Sequence, residues 1–130
     1  MKRIKQSLLL AKDDFEIITG FLKLGLYRNI LSRQETEQLE AELKRAKIVN
    51  KDELPDDVVR LNSSVTIKDE KDNKVLQVTV VTPEKADIKK RRISILSPIG
   101  TALIGFCKGQ TIAWKVPAGR KVFSILEVNN

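Results

Sequence analysis

Histidine is absent from this chain of 130 residues. Its absence removes the commonest general base, the commonest metal ligand and the side chain that titrates near neutrality. Cysteine occurs once, as Cys107, so neither an intramolecular disulfide nor a thiolate metal cluster can form, and a reducing compartment fits. Aromatic residues make up only 5%, which leaves a core built on leucine, isoleucine and valine. No apolar run approaches the roughly 20 residues that span a bilayer. Met1 to Ala11 carries a basic flank (Lys2, Arg3, Lys5) and a Leu8-Leu9-Leu10 run, but the apolar part is short and Lys12-Asp13-Asp14 follows at once. It does not read as a signal peptide, and the expectation is a soluble, cytoplasmic protein with no membrane contact.

What the chain does have is charge. The net value is +7, spread evenly: residues 1 to 50 hold ten Lys and Arg against seven Asp and Glu, and residues 51 to 130 hold fourteen against ten. Neither half is a polycation of the kind that binds nucleic acid by charge alone. The one dense run is Lys89-Lys90-Arg91-Arg92, readable as a solvated loop entering a strand or as a contact with an acidic surface.

Residues 1 to 50 read as helical. Asp13 with Glu16, and Ser32 with Glu35, have capping-box spacing. After the first comes an apolar stripe of Phe15, Ile18 and Leu22 flanked by Ile17, Phe21 and Leu24; after the second comes Leu39, Leu43 and Ala46. The two helices, each about 18 to 21 Å long, form an antiparallel hairpin joined by Gly25 to Leu31. The tip residues Tyr27, Arg28 and Asn29 are either an exposed contact or docked on the protein's own sheet.

Val49 to Asp57 is polar and reads as a linker, after which the hydrophobic period changes to two. Strands are predicted at Val58 to Leu61, Val65 to Lys68, Lys74 to Thr82, Thr111 to Val116 and Arg120 to Val128, with a kink at Asn62-Ser63-Ser64. A turn at Val116-Pro117-Ala118-Gly119 links the last two, with Gly119 left-handed. Between them, Arg92 to Gly105 reads as strand, cap, helix and stop: Ile93 and Ile95 alternate with Ser94, Ser97 caps, Pro98 opens the helix, and Gly105 ends it. The fold class is α+β, a short helical hairpin followed by a mainly antiparallel sheet around one short helix. The units are residues 1 to 50 and 51 to 130.

Catalytic chemistry is sparse. Serine nucleophiles lack a histidine base. Cys107 has Lys108 beside it, which would lower its pKa, although a lone cysteine is more often packing. Asp52, Glu53, Asp56 and Asp57 can hold a hard cation or simply solvate the linker.

The string Ile93-Ser94-Ile95-Leu96-Ser97-Pro98-Ile99-Gly100-Thr101-Ala102-Leu103-Ile104-Gly105, followed by Lys108-Gly109, Trp114, Pro117-Ala118-Gly119 and Ile125-Leu126-Glu127-Val128, resembles the C-terminal domain of the Gre transcript cleavage factors. Ala86-Asp87, ahead of the basic run, fits the same pattern. The resemblance implies an FKBP-like fold for that domain and binding to RNA polymerase near its secondary channel. It places Ser97, Pro98 and Ile99 on the docking surface, with Lys89, Lys90 and Arg91 as electrostatic support. Gre factors carry a longer coiled coil with an acidic tip that brings a metal ion to the polymerase. Here Gly25 to Ser32 has no carboxylate, so the resemblance is to a family member with a truncated hairpin. Its linker also resembles Glu53 to Val59.

The expectation is therefore a monomeric, noncatalytic regulator that competes with Gre-type factors without stimulating cleavage. It has no catalytic residue, cofactor or metal, and lies near nucleic acid only through the polymerase. The alternatives are residual cleavage activity and a peptidyl-prolyl isomerase, which needs an apolar pocket for which Phe106, Trp114 and Phe123 are the only aromatics in the second unit.

Overall fold

The computed structural model describes residues 9–27, 32–116 and 119–130. Strand β1 (Leu9–Ala11) leads into helix α1 (Lys12–Lys23), and helix α2 (Arg33–Arg45) leads into β2 (Lys47–Val49). β1 and β2 pair in parallel, Leu10 opposite Ile48. Parallel neighbours need a connection that carries the chain back to its starting edge, and the two helices supply it.

The capping box expected at Asp13 and Glu16 does not form. The residue before α1 is Ala11, which makes no side-chain cap. Asp14 turns away from its own helix, and its Oδ2 accepts the Leu61 N–H at 3.1 Å. Ser32 does directly precede α2, and Gly25 takes a positive φ of 72° just beyond the end of α1. Arg28, Asn29, Ile30 and Leu31 lie outside the described residues, as do Pro117 and Ala118 of the expected turn.

The remaining strands form a five-stranded sheet in the order β5-β4-β3-β7-β6. Its strands are β3 (Ser64–Asp69), β4 (Lys74–Val81), β5 (Arg92–Ser94), β6 (Thr111–Val116) and β7 (Gly119–Asn129), with helix α3 (Pro98–Leu103) after β5. All neighbours are antiparallel except β4 and β5. β3 alternates as the period-two reading requires: Val65, Ile67 and Asp69 are buried, while Ser64, Thr66 and Lys68 are half-exposed. The register with β7 shifts at Thr66/Ile67.

The strand expected at Val58 to Leu61 is absent. Val58 makes an isolated bridge to Cys107, and Asn62 takes a φ of 73°, turning the chain before a ladder can extend. The kink expected at Asn62-Ser63 is there instead, with Ser63 Oγ accepting the Arg60 N–H at 2.8 Å.

One apolar cluster joins both halves of the chain. Leu10, Ile18, Tyr27, Leu39 and Leu43 are buried together with Val65, Ile67, Val80, Ile95, Leu103, Ile112 and Ile125 from the sheet and α3. Phe15 and Phe21 pack against the same cluster. Apolar residues of both helices therefore join the core formed by the sheet and α3.

Candidate functional site

The stretch from Arg92 to Gly105 folds as strand, turn and helix, and its geometry is tight. β5 ends at Ser94, and the chain then turns through Ile95 and Leu96 to Ser97. Ser97 Oγ accepts the Gly100 N–H at 3.1 Å, which is the expected cap, and also donates to the Ser94 carbonyl at 2.7 Å. The Ser97 N–H reaches the same carbonyl at 2.9 Å. Ser94 Oγ in turn accepts the Leu96 N–H at 3.0 Å. Pro98 opens α3, where its missing N–H costs nothing. Gly100 lies so close under the turn that a Cβ there would overlap the Ser94 carbonyl oxygen. Ser97 and Ile99 are half-buried, and Ile99 packs on the core.

Ten residues earlier the basic run forms a second ordered feature. Residues Ile88–Lys90 make a single 3₁₀ turn, with the Asp87 carboxylate accepting the Lys89 N–H at 3.0 Å. Arg91 adopts a left-handed φ of 56°, and Asp87 and Arg92 exchange two backbone hydrogen bonds of 2.9 Å that close the loop. Lys89, Lys90 and Arg91 are exposed. At the apex Ile88 is 89% exposed, an apolar spot with a cationic rim. Sequence reading passed over it; the available signal was a lone isoleucine between an acid and a basic run. The three residues of β5, Arg92 to Ser94, carry the chain from this loop to the turn at Ile95, roughly 10 Å at the usual rise.

Tyr27 follows α1 yet is 1% exposed. Its hydroxyl donates to the Ile95 carbonyl at 3.2 Å, and the Thr101 hydroxyl donates to the same oxygen at 2.8 Å. Of the two readings of Tyr27, the fold takes docking on its own sheet rather than an exposed contact, because burial of the ring and a buried acceptor for the hydroxyl come together. Burial pushes the phenol pKa up to about 12, against a smaller lowering effect from Thr101.

Other candidates resolve less favourably. Burial, followed by the nearby Asp57 charge, raises the Cys107 thiol pKa. Lys108, expected to lower it, instead pairs with Glu127 at 3.4 Å. Asp52, Glu53, Asp56 and Asp57 are exposed, and among the described residues no three acidic or sulfur side chains converge as a metal site. Phe106 and Phe123 are buried in the core, where they fill space instead of lining an open pocket. A cleft of about 340 Å³ lies against the start of α1, lined by Asp13, Asp14 and Glu84 and by Lys51, Arg60 and Lys85. Its balanced charges select no ligand of one sign. Burial raises the pKa of Asp14 there, although the Leu61 N–H and Arg60 oppose the shift. No helix among the described residues is long and apolar enough to cross a membrane.

Comparison with known proteins follows the same residues. Residues 54–130 match the family model described as "Transcription elongation factor, GreA/GreB, C-term". The transcription elongation factor GreA of Amoebophilus asiaticus is 38% identical over 102 residues, covering 78% of this chain and 64% of the relative. The regulator of nucleoside diphosphate kinase of Escherichia coli is 37% identical over 83 residues, covering 64% of this chain and 61% of the relative. The chain thus spans less than two thirds of these curated relatives. A solved GreA/GreB elongation factor from Nitrosomonas europaea superposes with a TM-score of 0.76 at 32% identity, covering 95% of this chain and 99% of that one. The Ser-Pro-Ile-Gly junction lies within the matched span, and this chain belongs to the GreA/GreB family of transcription elongation factors.

Proposed function

We infer that the chain is a noncatalytic regulator of the short-hairpin type represented by the regulator of nucleoside diphosphate kinase. It binds RNA polymerase near the secondary channel, competes there with Gre-type factors and does not stimulate transcript cleavage. A polymerase partner would place it in the cytoplasm, as a monomer, with nucleic acid nearby only through the polymerase. The observation that carries the reading is the fate of the helical pair. α1 has 12 residues, about 18 Å of helix, and Tyr27, four residues past its last residue Lys23, is buried against Ile95 instead of projecting. The connecting stretch Gly25 to Ser32 has no carboxylate to hold a metal ion.

Docking falls to the second unit. An exposed apolar spot within a charged rim is the anatomy of a contact patch. Ile88 with Lys89, Lys90 and Arg91 has that anatomy, with Ser97, Pro98 and Ile99 at the far end of β5.

A competition assay tests the proposal. Core polymerase is loaded with a Gre factor and challenged with the chain, and backtracked complexes are then incubated with the chain and magnesium. Displacement without cleavage is expected. Failure to displace, or transcript shortening, would overturn it.

A further inference from the structure

We propose that Tyr27 is a positioning residue for the Ser97 to Ile99 junction, through which the helical pair fixes that surface from beneath. The proposal rests on the docking reading above.

The Ile95 carbonyl is the pivot. It lies two residues before Ser97 and takes both the Tyr27 hydroxyl, from the turn after α1, and the Thr101 hydroxyl, from α3. A carbonyl oxygen has two lone pairs, so these two donors saturate it. Both ends of the turn from Ile95 to Thr101 are thereby tied to one oxygen, and one tie comes from 68 residues away. The turn has little slack elsewhere. Ser94 and Ser97 are cross-bonded, and Gly100 sits in contact with the Ser94 carbonyl.

Filling the core needs only the ring of Tyr27. Its hydroxyl adds no apolar burial, and out of water it requires an acceptor. That acceptor belongs to the junction. A displacement of the helical pair therefore pulls on Ile95, and a partner that grips Ser97 to Ile99 feels the helices through the same bond.

The test compares Tyr27→Phe with Ile18→Val. Ile18 is equally buried on α1, and its change loosens the same core by one methylene without removing a hydrogen bond. Amide exchange at residues 96–101 and binding to core RNA polymerase are measured on full-length proteins. Tyr27→Phe is expected to keep cooperative unfolding while exchange at the amides of Leu96, Ser97, Ile99, Gly100 and Thr101 quickens about tenfold, the ratio that corresponds to one lost hydrogen bond. Polymerase release should quicken in parallel, and Ile18→Val should change neither readout. Unaltered exchange in Tyr27→Phe, or equal quickening in Ile18→Val, would overturn the proposal. A wild-type chain that fails to bind polymerase would sink the docking reading alone, and the exchange comparison would still decide whether Tyr27 fixes the junction.

Discussion

The phenol of Tyr27 donates to the backbone carbonyl of Ile95, 3.2 Å away in space and 68 residues away in sequence. One bond therefore links the end of the first helix to the turn that opens α3. The pair also explains why a short helical segment can be ordered at all. Two helices of 12 and 13 residues are marginal by themselves, and their stability comes from the face they bury against the sheet.

Tyr27 is the chain's only tyrosine, so its ionisation can be followed by tyrosinate absorbance alone. Burial raises its pKa from 10.0 to about 12 in the fold. The folded state thus holds the proton more tightly than the unfolded chain, and this stabilisation is complete below pH 10 and lost as pH rises towards 12. Native protein at pH 10.5 should show little tyrosinate, whereas urea-unfolded protein at the same pH should be mostly ionised. Equal signals would contradict the burial of the ring. Tyr27→Phe should cost about 0.5–1.5 kcal/mol in urea unfolding, while Tyr27→Ala should cost about 3–5 kcal/mol by leaving a cavity.

Gly100→Ala changes only one methyl group, yet it should clearly destabilise the fold. The new Cβ would overlap the Ser94 carbonyl oxygen, which is backbone held by two bonds from Ser97. Either α3 moves off the sheet or the Ser97 cap opens. The expected loss is about 1–3 kcal/mol, as for overpacking elsewhere. Ala at Gly20, where the same construction meets nothing within 4 Å, should by contrast stabilise α1 by about 0.5–1 kcal/mol. Chemical denaturation of the two variants with wild type separates these signs.

Asp14 makes the opposite pH prediction from that of an ordinary surface carboxylate. Burial raises its pKa above 3.8, outweighing the lowering by the Leu61 N–H and by Arg60. The fold then binds this proton more tightly than the unfolded chain does, so its contribution declines as pH rises from the unfolded value through the folded one. Asp14→Asn keeps an acceptor for Leu61 and abolishes the titration. It should match or exceed wild type at pH 7, with the difference shrinking towards pH 3. Asp14→Leu strands the Leu61 N–H and should lose about 1–3 kcal/mol. A difference between wild type and Asp14→Asn that stays constant over this range would refute the assignment.

Local signals were legible where the competing partners are also local. The cap, helix and stop of residues 97–105 can be read directly, since Ser97, Pro98 and Gly105 act on amides and carbonyls within a few positions, whereas the strand read through Ile95 ends at Ser94. β3, β4, β6 and β7 follow from alternation, with ends displaced by at most one residue at most boundaries. The failures share one cause. Asp13 and Glu16 have capping-box spacing, but α1 begins after Ala11, and the neighbouring Asp14 finds its donor in Leu61, 47 residues away. Val58 to Leu61 has strand composition, but the positive φ of Asn62 and the bridge from Val58 to Cys107 shape it instead. Tyr27 and Ile88 show the same limit at the candidate site. One is buried and the other exposed because of where distant segments pass, and neither outcome is encoded in neighbouring residues.

The docking surface can be tested without disturbing any of these long-range contacts. Lys89, Lys90 and Arg91 are exposed and form no ion pair among the described residues, so the triple change to Glu should leave unfolding within about 0.5 kcal/mol of wild type. If the cationic rim steers the chain onto an acidic patch of polymerase, the variant should associate about tenfold more slowly at low salt and approach wild type as salt is raised. Ile88→Asp should act differently. Its side chain has no core to leave, and the loop is closed by backbone bonds between Asp87 and Arg92, so stability should again hold. The loss should fall on dissociation and persist at high salt, because burial of an apolar contact is not screened. Binding kinetics of the two variants at low and high salt separate rim from anchor. Unchanged binding in both would move the docking surface away from this loop.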